Sequence, residues 1–106
     1  MAQAFEQRRN FVVQRLNTIP GITSNTTRGA FYVFPNIAAL FGRRANGKPL
    51  HTAAEVADYL LDAAGVAVVP GDAFGDDHSM RISYASSMAE LEDGLARIDQ
   101  AVQQLA

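Results

Sequence analysis

The second half of the chain changes its hydrophobic period twice, and nothing else narrows the fold as far. From Thr52 onward Val56, Tyr59, Leu60 and Ala63 recur at helical spacing. "VAVVP" at 66–70 is then continuously apolar, and "MRISYA" at 80–85 alternates apolar and polar. From Ser87 the helical period returns through Leu91, Leu95, Ile98, Val102 and Leu105. Helix, strand, strand and helix in one stretch exclude an all-helical bundle and an all-β sandwich.

Both helices carry their own start signals. Thr52-x-x-Glu55 and Ser87-x-x-Glu90 are capping boxes. In each, the hydroxyl accepts from the amide three residues on while the glutamate reaches back. Gly65 is placed to stop the first helix in a left-handed conformation. Gly94 weakens the second slightly.

The first half adds a helix and a strand. Phe5, Val12, Leu16 and Ile19 share one face of a helix over 2–18, which "IPG" at 19–21 ends. "ITSNTTR" at 22–28 reads as a loop or a short edge strand. "GAFYVFP" at 29–35 reads as a strand apolar on both faces, with Phe31 and Val33 on one and Tyr32 and Phe34 on the other. That pattern predicts cover on both sides, as does the unbroken apolar run 66–70. Residues 36–51 hold Gly42, Gly47 and Pro49 among basic residues, predicting an irregular exposed loop with a helical turn near Ile37–Phe41.

The order is therefore α-β-α-β-β-α. It predicts an α/β (α+β) two-layer sandwich: a small three-stranded mixed sheet with "MRISYA" in the middle and helices mainly on one face. The first strand–helix–strand crossover should be right-handed. With 106 residues there is material for one core, and no repeat or second domain is visible.

Composition removes several function classes. A net charge of −2 gives no sign of a nucleic-acid or anionic-membrane surface. The absence of cysteine excludes disulfides, thiolate metal sites and cysteine nucleophiles, and fits a cytoplasmic setting. No apolar run approaches the ~20 residues of a membrane span. "MAQAFEQRRN" has no signal-peptide core. Lys48 is the one lysine, in the loop-like "GRRANGKPL", a poor setting for chemistry that needs a buried amine.

Alternation in "MRISYA" puts Met80, Ile82 and Tyr84 on the core face and Arg81, Ser83 and Ala85 on the other. Arg81 there offers a planar fork of donors suited to a carboxylate or phosphate. A structural alternative is pairing with Asp72, Asp76 or Asp77 of the preceding loop, worth only ~0–1 kcal/mol if exposed. Asp72, Asp76, Asp77 and His78 lack calcium-loop spacing, and no metal ligand is assigned. Gly71 and Gly75 form no phosphate-binding motif. Arg43, Arg44 and Lys48 read as a solvated loop. Tyr32, Tyr59 and Tyr84 read as core residues. His51 and His78 fit no Ser/His/Asp pattern.

Four blocks in order carry a family likeness: "RRNFVVQRLNTIPGI", "GAFYVFPNI", "AEVADYLLDAAGVAVVPGDAFG" and "MRISYASSMAELEDGLARI". Together, over roughly residues 5–100, they resemble the C-terminal part of class I aminotransferases, nearest the bacterial aspartate aminotransferase branch. The resemblance implies that 1–106 is the C-terminal small domain of a fold type I pyridoxal-phosphate enzyme. It would be a fragment of a subunit of about 400 residues, several domain lengths. It implies a large cofactor-binding domain as partner in the same subunit, a homodimer, and amino-acid and 2-oxo-acid substrates. The parent reaction would convert L-aspartate and 2-oxoglutarate to oxaloacetate and L-glutamate.

By the same resemblance, Arg81 falls on the arginine that clamps the substrate α-carboxylate. Phe31 matches an aromatic near the substrate. The family's cofactor lysine has no match here, because Lys48 does not fit its motif. "NTTRGAFY" also lacks the proline often found before the Gly-Ala-Phe block. This chain alone is therefore expected to hold no catalytic residue, bind no pyridoxal phosphate covalently and be inactive. The rival expectation is a free-standing regulatory module that binds amino acids through Arg81 without catalysis.

Overall fold

The computed structural model describes residues 2–24, 32–83 and 87–106. Expectations for residues 25–31, which include Phe31, for Tyr84 and Ala85, and for the Phe5 side chain lie outside the described residues.

Helix α1 spans Ala2–Asn17 and buries Val12, Val13 and Leu16. Ile19 follows it into the core. Helix α2, Ala53–Ala64, starts with the Thr52 hydroxyl accepting from the Glu55 amide at 3.1 Å. The Glu55 carboxylate reaches back to the His51 amide, also at 3.1 Å. Gly65 ends the helix at φ 68° and ψ 23°, the left-handed conformation that glycine adopts without Cβ strain. Helix α3, Met88–Gln103, begins the same way, with the Ser87 hydroxyl 3.2 Å from the Glu90 amide. Leu91, Leu95, Ile98, Ala101 and Val102 form its buried stripe, and Leu105 continues it.

One residue of the α2 stripe is corrected. Ala63 is exposed, and the buried set is Ala53, Val56, Ala57, Leu60 and Ala64. From Leu60 the four-residue step stays on the core face, and the three-residue step turns away from it.

The three-stranded sheet contains β1 (Tyr32–Val33), β4 (Val69–Pro70) and β5 (Met80–Ser83), in the order β1-β5-β4. Both neighbours of β5 run antiparallel to it, so the sheet is not mixed as predicted. β1 and β4 share a direction but are separated by β5, and no parallel ladder forms. Strand β4 lies on the sheet edge, with Pro70 where a missing donor is tolerated. The reading of 66–70 as a strand buried on both faces is overturned: only Val69–Pro70 is strand, Val66, Val68 and Val69 are half-buried, and Ala67 is exposed.

Residues 32–35 of the GAFYVFP run are likewise covered on one side only. Val33 is fully buried, Tyr32 is half-buried, and Phe34 is 41% exposed.

Residues 36–51 are not a loose loop. A 3-10 turn at Ala38–Leu40 leads to a hairpin of β2 (Arg44–Ala45) and β3 (Lys48–Pro49). Asn46 and Gly47 at its tip have φ 52° and 82°, the pair of positive angles a type I′ turn requires. Arg44 and Ala106 exchange backbone bonds of 3.2 and 2.9 Å, and the Arg43 guanidinium donates to the Leu105 carbonyl at 2.8 Å. Ile37, Leu40 and Leu50 anchor the segment in the core. The Asn-Gly dipeptide was the sequence signal for this hairpin.

Gly71 controls the entry to β5. Its amide donates to the Ser79 carbonyl at 2.8 Å, and its carbonyl accepts from Asp76 at 2.9 Å. A Cβ there would run into the carbonyl oxygens of both residues.

Candidate functional site

Strand β5 is the element that presents chemistry. Met80 and Ile82 are buried, while Arg81 is half-buried and Ser83 exposed. The alternation predicted for Met80–Ser83 is thus what the strand shows. A central strand holds Arg81 between two neighbours. Val69 of β4 lies in register with it on one side. On the other side Tyr32 pairs with Ser83 and Val33 with Ile82. The Met80 amide then donates to the Pro35 carbonyl at 3.2 Å. Continuation of this register sets Phe34 across from Arg81 and Tyr32 diagonal to it.

The diagonal contact is direct. The Arg81 Cζ lies 4.2 Å from the centroid of the Tyr32 ring, with the guanidinium over the ring. That is cation–π distance, and diagonal neighbours in an antiparallel pair are within reach of long side chains. The sheet face therefore combines a guanidinium, the exposed Ser83 and two aromatic rings that the core does not fully cover. Such a face can bind a carboxylate through the N–H groups of the guanidinium.

Tyr32 is the residue that sequence reasoning missed. It was read as core because its strand is apolar on both faces. Alternation alone puts Tyr32 opposite Val33; only the register with Ser83 puts it beside Arg81.

Two of the aspartates offered as alternative partners for Arg81, Asp76 and Asp77, have partners within their own loop. Asp76 accepts from the His78 amide at 3.1 Å and from the Ser79 hydroxyl at 2.9 Å. Asp77 lies 2.7 Å from His78 Nδ1. Asp76, Asp77 and His78 bring ligand-type atoms within 4.8 Å of one another, all in exposed side chains. Asp76 thus already serves as the polar stitch of the turn.

Two titrating groups stand out elsewhere, in the helical layer. The Tyr59 hydroxyl donates to the Ala101 carbonyl at 2.6 Å, and burial pushes its pKa up. Asp99 accepts from Gln103 at 2.9 Å and from the Arg15 guanidinium at 3.0 Å. The Gln103 bond first, and Arg15 after it, hold the Asp99 carboxyl below the usual carboxylate range against the opposing effect of burial. Both groups tie helices together, and neither belongs to the Arg81 face. Among the described residues no helix is long and apolar enough to cross a membrane.

Comparison with known proteins matches nearly the whole chain. The family model "Aminotransferase class I and II" matches residues 1–98. A bifunctional aspartate aminotransferase and glutamate/aspartate-prephenate aminotransferase of Petunia hybrida is 40% identical over 103 residues, 96% of this chain and 22% of its own length. The crystal structure of an aspartate aminotransferase from Rhizobium meliloti superposes with a TM-score of 0.96 at 44% identity, covering 98% of this chain and 26% of that one. An alanine aminotransferase from Pyrococcus furiosus gives a TM-score of 0.83 at 28% identity, covering 96% and 24%. The chain spans about a quarter of the length of the relatives it matches.

Proposed function

This chain belongs to the class I and II aminotransferase family, and on that premise we propose that its Arg81 face holds the α-carboxylate of an amino-acid substrate. The observation that carries this is Arg81 itself: half-buried on the central strand, on the same face as exposed Ser83, with its Cζ 4.2 Å from the centre of the Tyr32 ring. A bidentate pair from such an arginine fixes a substrate's orientation as well as holding it. Phe31, in the same sequence block as Tyr32, is proposed as the second substrate contact.

The wider reading rests on the relatives. The chain acts as the C-terminal small domain of a longer cytoplasmic subunit whose parent reaction transfers an amino group between L-aspartate and 2-oxoglutarate. The partners are a large domain of the same subunit and a second subunit. Pyridoxal phosphate is the cofactor of that parent and supplies the carbanion chemistry when bound.

The residues of this chain do not fit that cofactor. Its one lysine, Lys48, is exposed on the β2–β3 hairpin, in a different sheet from Arg81. What the chain contributes is binding and orientation of the substrate at the Arg81 nitrogens, and no proton transfer.

Titration of the chain with L-aspartate, followed residue by residue in amide NMR spectra, tests the proposal. One charge-assisted contact contributes roughly 1.5–3 kcal/mol, whereas millimolar affinity already needs about 4. Shifts should therefore centre on β5 and β1, saturate only at millimolar concentration or above, and vanish in Arg81→Gln. Micromolar binding would instead identify a self-sufficient amino-acid-binding module. Shifts that survive Arg81→Gln would remove Arg81 from the site.

A further inference from the structure

We propose that Tyr32 is a positioning residue for Arg81, setting the plane in which its N–H fork meets a carboxylate. This rests on the assignment of Arg81 to the substrate carboxylate and adds to it a residue that does not itself touch substrate.

The geometry argues as follows. Arginine is long and flexible, with side-chain rotamers to lose, whereas bidentate recognition of a carboxylate needs one plane. A strand fixes where the arginine starts but leaves the plane of its far end open. Tyr32 supplies what the strand lacks. Its ring lies 4.2 Å from the Arg81 Cζ, and its own backbone is fixed by the register with Ser83. The proposed contact is face to face, and a ring so placed takes none of the five N–H donors, because these point along the edge of the guanidinium. Orientation and carboxylate binding therefore do not compete for the same atoms.

The exposure of β1 points the same way. An apolar strand would normally hide both of its faces, yet Tyr32 is only half-buried and Phe34 is 41% exposed. The Tyr32 ring is open on the side where the Arg81 guanidinium lies over it.

The test uses two proteins. In this chain, the Arg81 Nε–Hε resonance should carry a ring-current shift that is kept in Tyr32→Phe and lost in Tyr32→Leu. For kinetics, the matching segment of the Rhizobium meliloti aspartate aminotransferase is replaced by this chain, and the graft is assayed with L-aspartate and 2-oxoglutarate. Tyr32→Leu should raise KM for L-aspartate about three- to tenfold, the range expected for losing a cation–π contact, with a smaller change in kcat. Tyr32→Phe should stay within about twofold of the unsubstituted graft, since phenylalanine keeps the ring face.

The decisive step is a cycle with Arg81→Gln. If Tyr32 acts through Arg81, Tyr32→Leu should have no further effect on KM once Arg81 is gone. An equal rise in both backgrounds, or failure of phenylalanine to rescue, overturns the positioning role and leaves the Arg81 assignment standing. If Arg81→Gln by itself leaves KM unchanged, the carboxylate assignment falls and the positioning role falls with it.

Discussion

The helical layer and the Arg81 face of the sheet are built on opposite terms. In the helices almost every local rule is satisfied. Caps close on Thr52 and Ser87, Gly65 terminates α2, and long apolar stripes are fully buried. Side chains stitch one helix to the next, through Tyr59 to Ala101 and through Arg15 to Asp99. The sheet is made of strands two to four residues long, and one of its faces leaves an arginine and two aromatic rings partly open. On the proposed function, the difference puts stability in one region and ligand contact in the other. A rigid scaffold lets a small exposed face stay precise without being buried.

The largest effect that would break this division is in the core. Ile98→Ala in α3 should cost about 2–5 kcal/mol by urea unfolding, because Ile98 is wholly buried. Phe34→Ala on the sheet face should change stability by less than about 0.5 kcal/mol. Equal losses at the two positions would mean that the sheet face is a second core rather than a binding face.

A smaller effect sharpens the same comparison at the edge of the site. Gly71→Ala should destabilise by about 1–3 kcal/mol, the usual range for forcing atoms into filled space. The added methyl meets backbone oxygens of Asp76 and Ser79 that cannot swing aside. Because Ser79 leads directly into β5, amide exchange in Met80–Ser83 should accelerate more than in α3. Uniform acceleration would show that the strand has no local stability of its own.

The smallest effect is electrostatic and belongs to the helices. The Asp99 carboxyl is held below its ordinary pKa when folded, by Gln103 first and then Arg15. A depressed folded pKa adds stability above the unfolded carboxylate value, near 4, and loses it as pH falls through the folded value. Asp99→Asn should therefore cost under about 1 kcal/mol at pH 7, and the gap from the parent chain should close below about pH 4. Unfolding midpoints measured from pH 7 to pH 3 check this; a gap that widens in acid contradicts it.

How far the sequence could be read follows the same boundary. The helices were legible because their signals are local: a hydroxyl three residues before a glutamate, a glycine after an apolar stripe, a step of three or four. The alternation at Met80–Ser83 was legible for the same reason. What escaped depends on which strand lies beside which. In 66–70 only Val69 and Pro70 join the ladder, and no residue within that apolar run announces where pairing begins. The mixed sheet became an antiparallel one because β5 sits between two strands of like direction. Tyr32 became part of the site only through a register set by Ser83 on a strand some fifty residues away. The Asn46-Gly47 hairpin was the exception, a local signal masked by the basic residues around it.

On the proposed function, Arg81 binds the substrate carboxylate while the rest of this chain holds it in place. The kcat/KM of the Rhizobium meliloti graft with and without Arg81→Gln, measured alongside the unfolding midpoint, tests it most directly. The predicted result is a fall in kcat/KM of about a hundredfold, what ~3 kcal/mol of charge-assisted bonding is worth, at an unchanged midpoint. An unchanged kcat/KM, or a loss matched by an equal loss of stability, would contradict it.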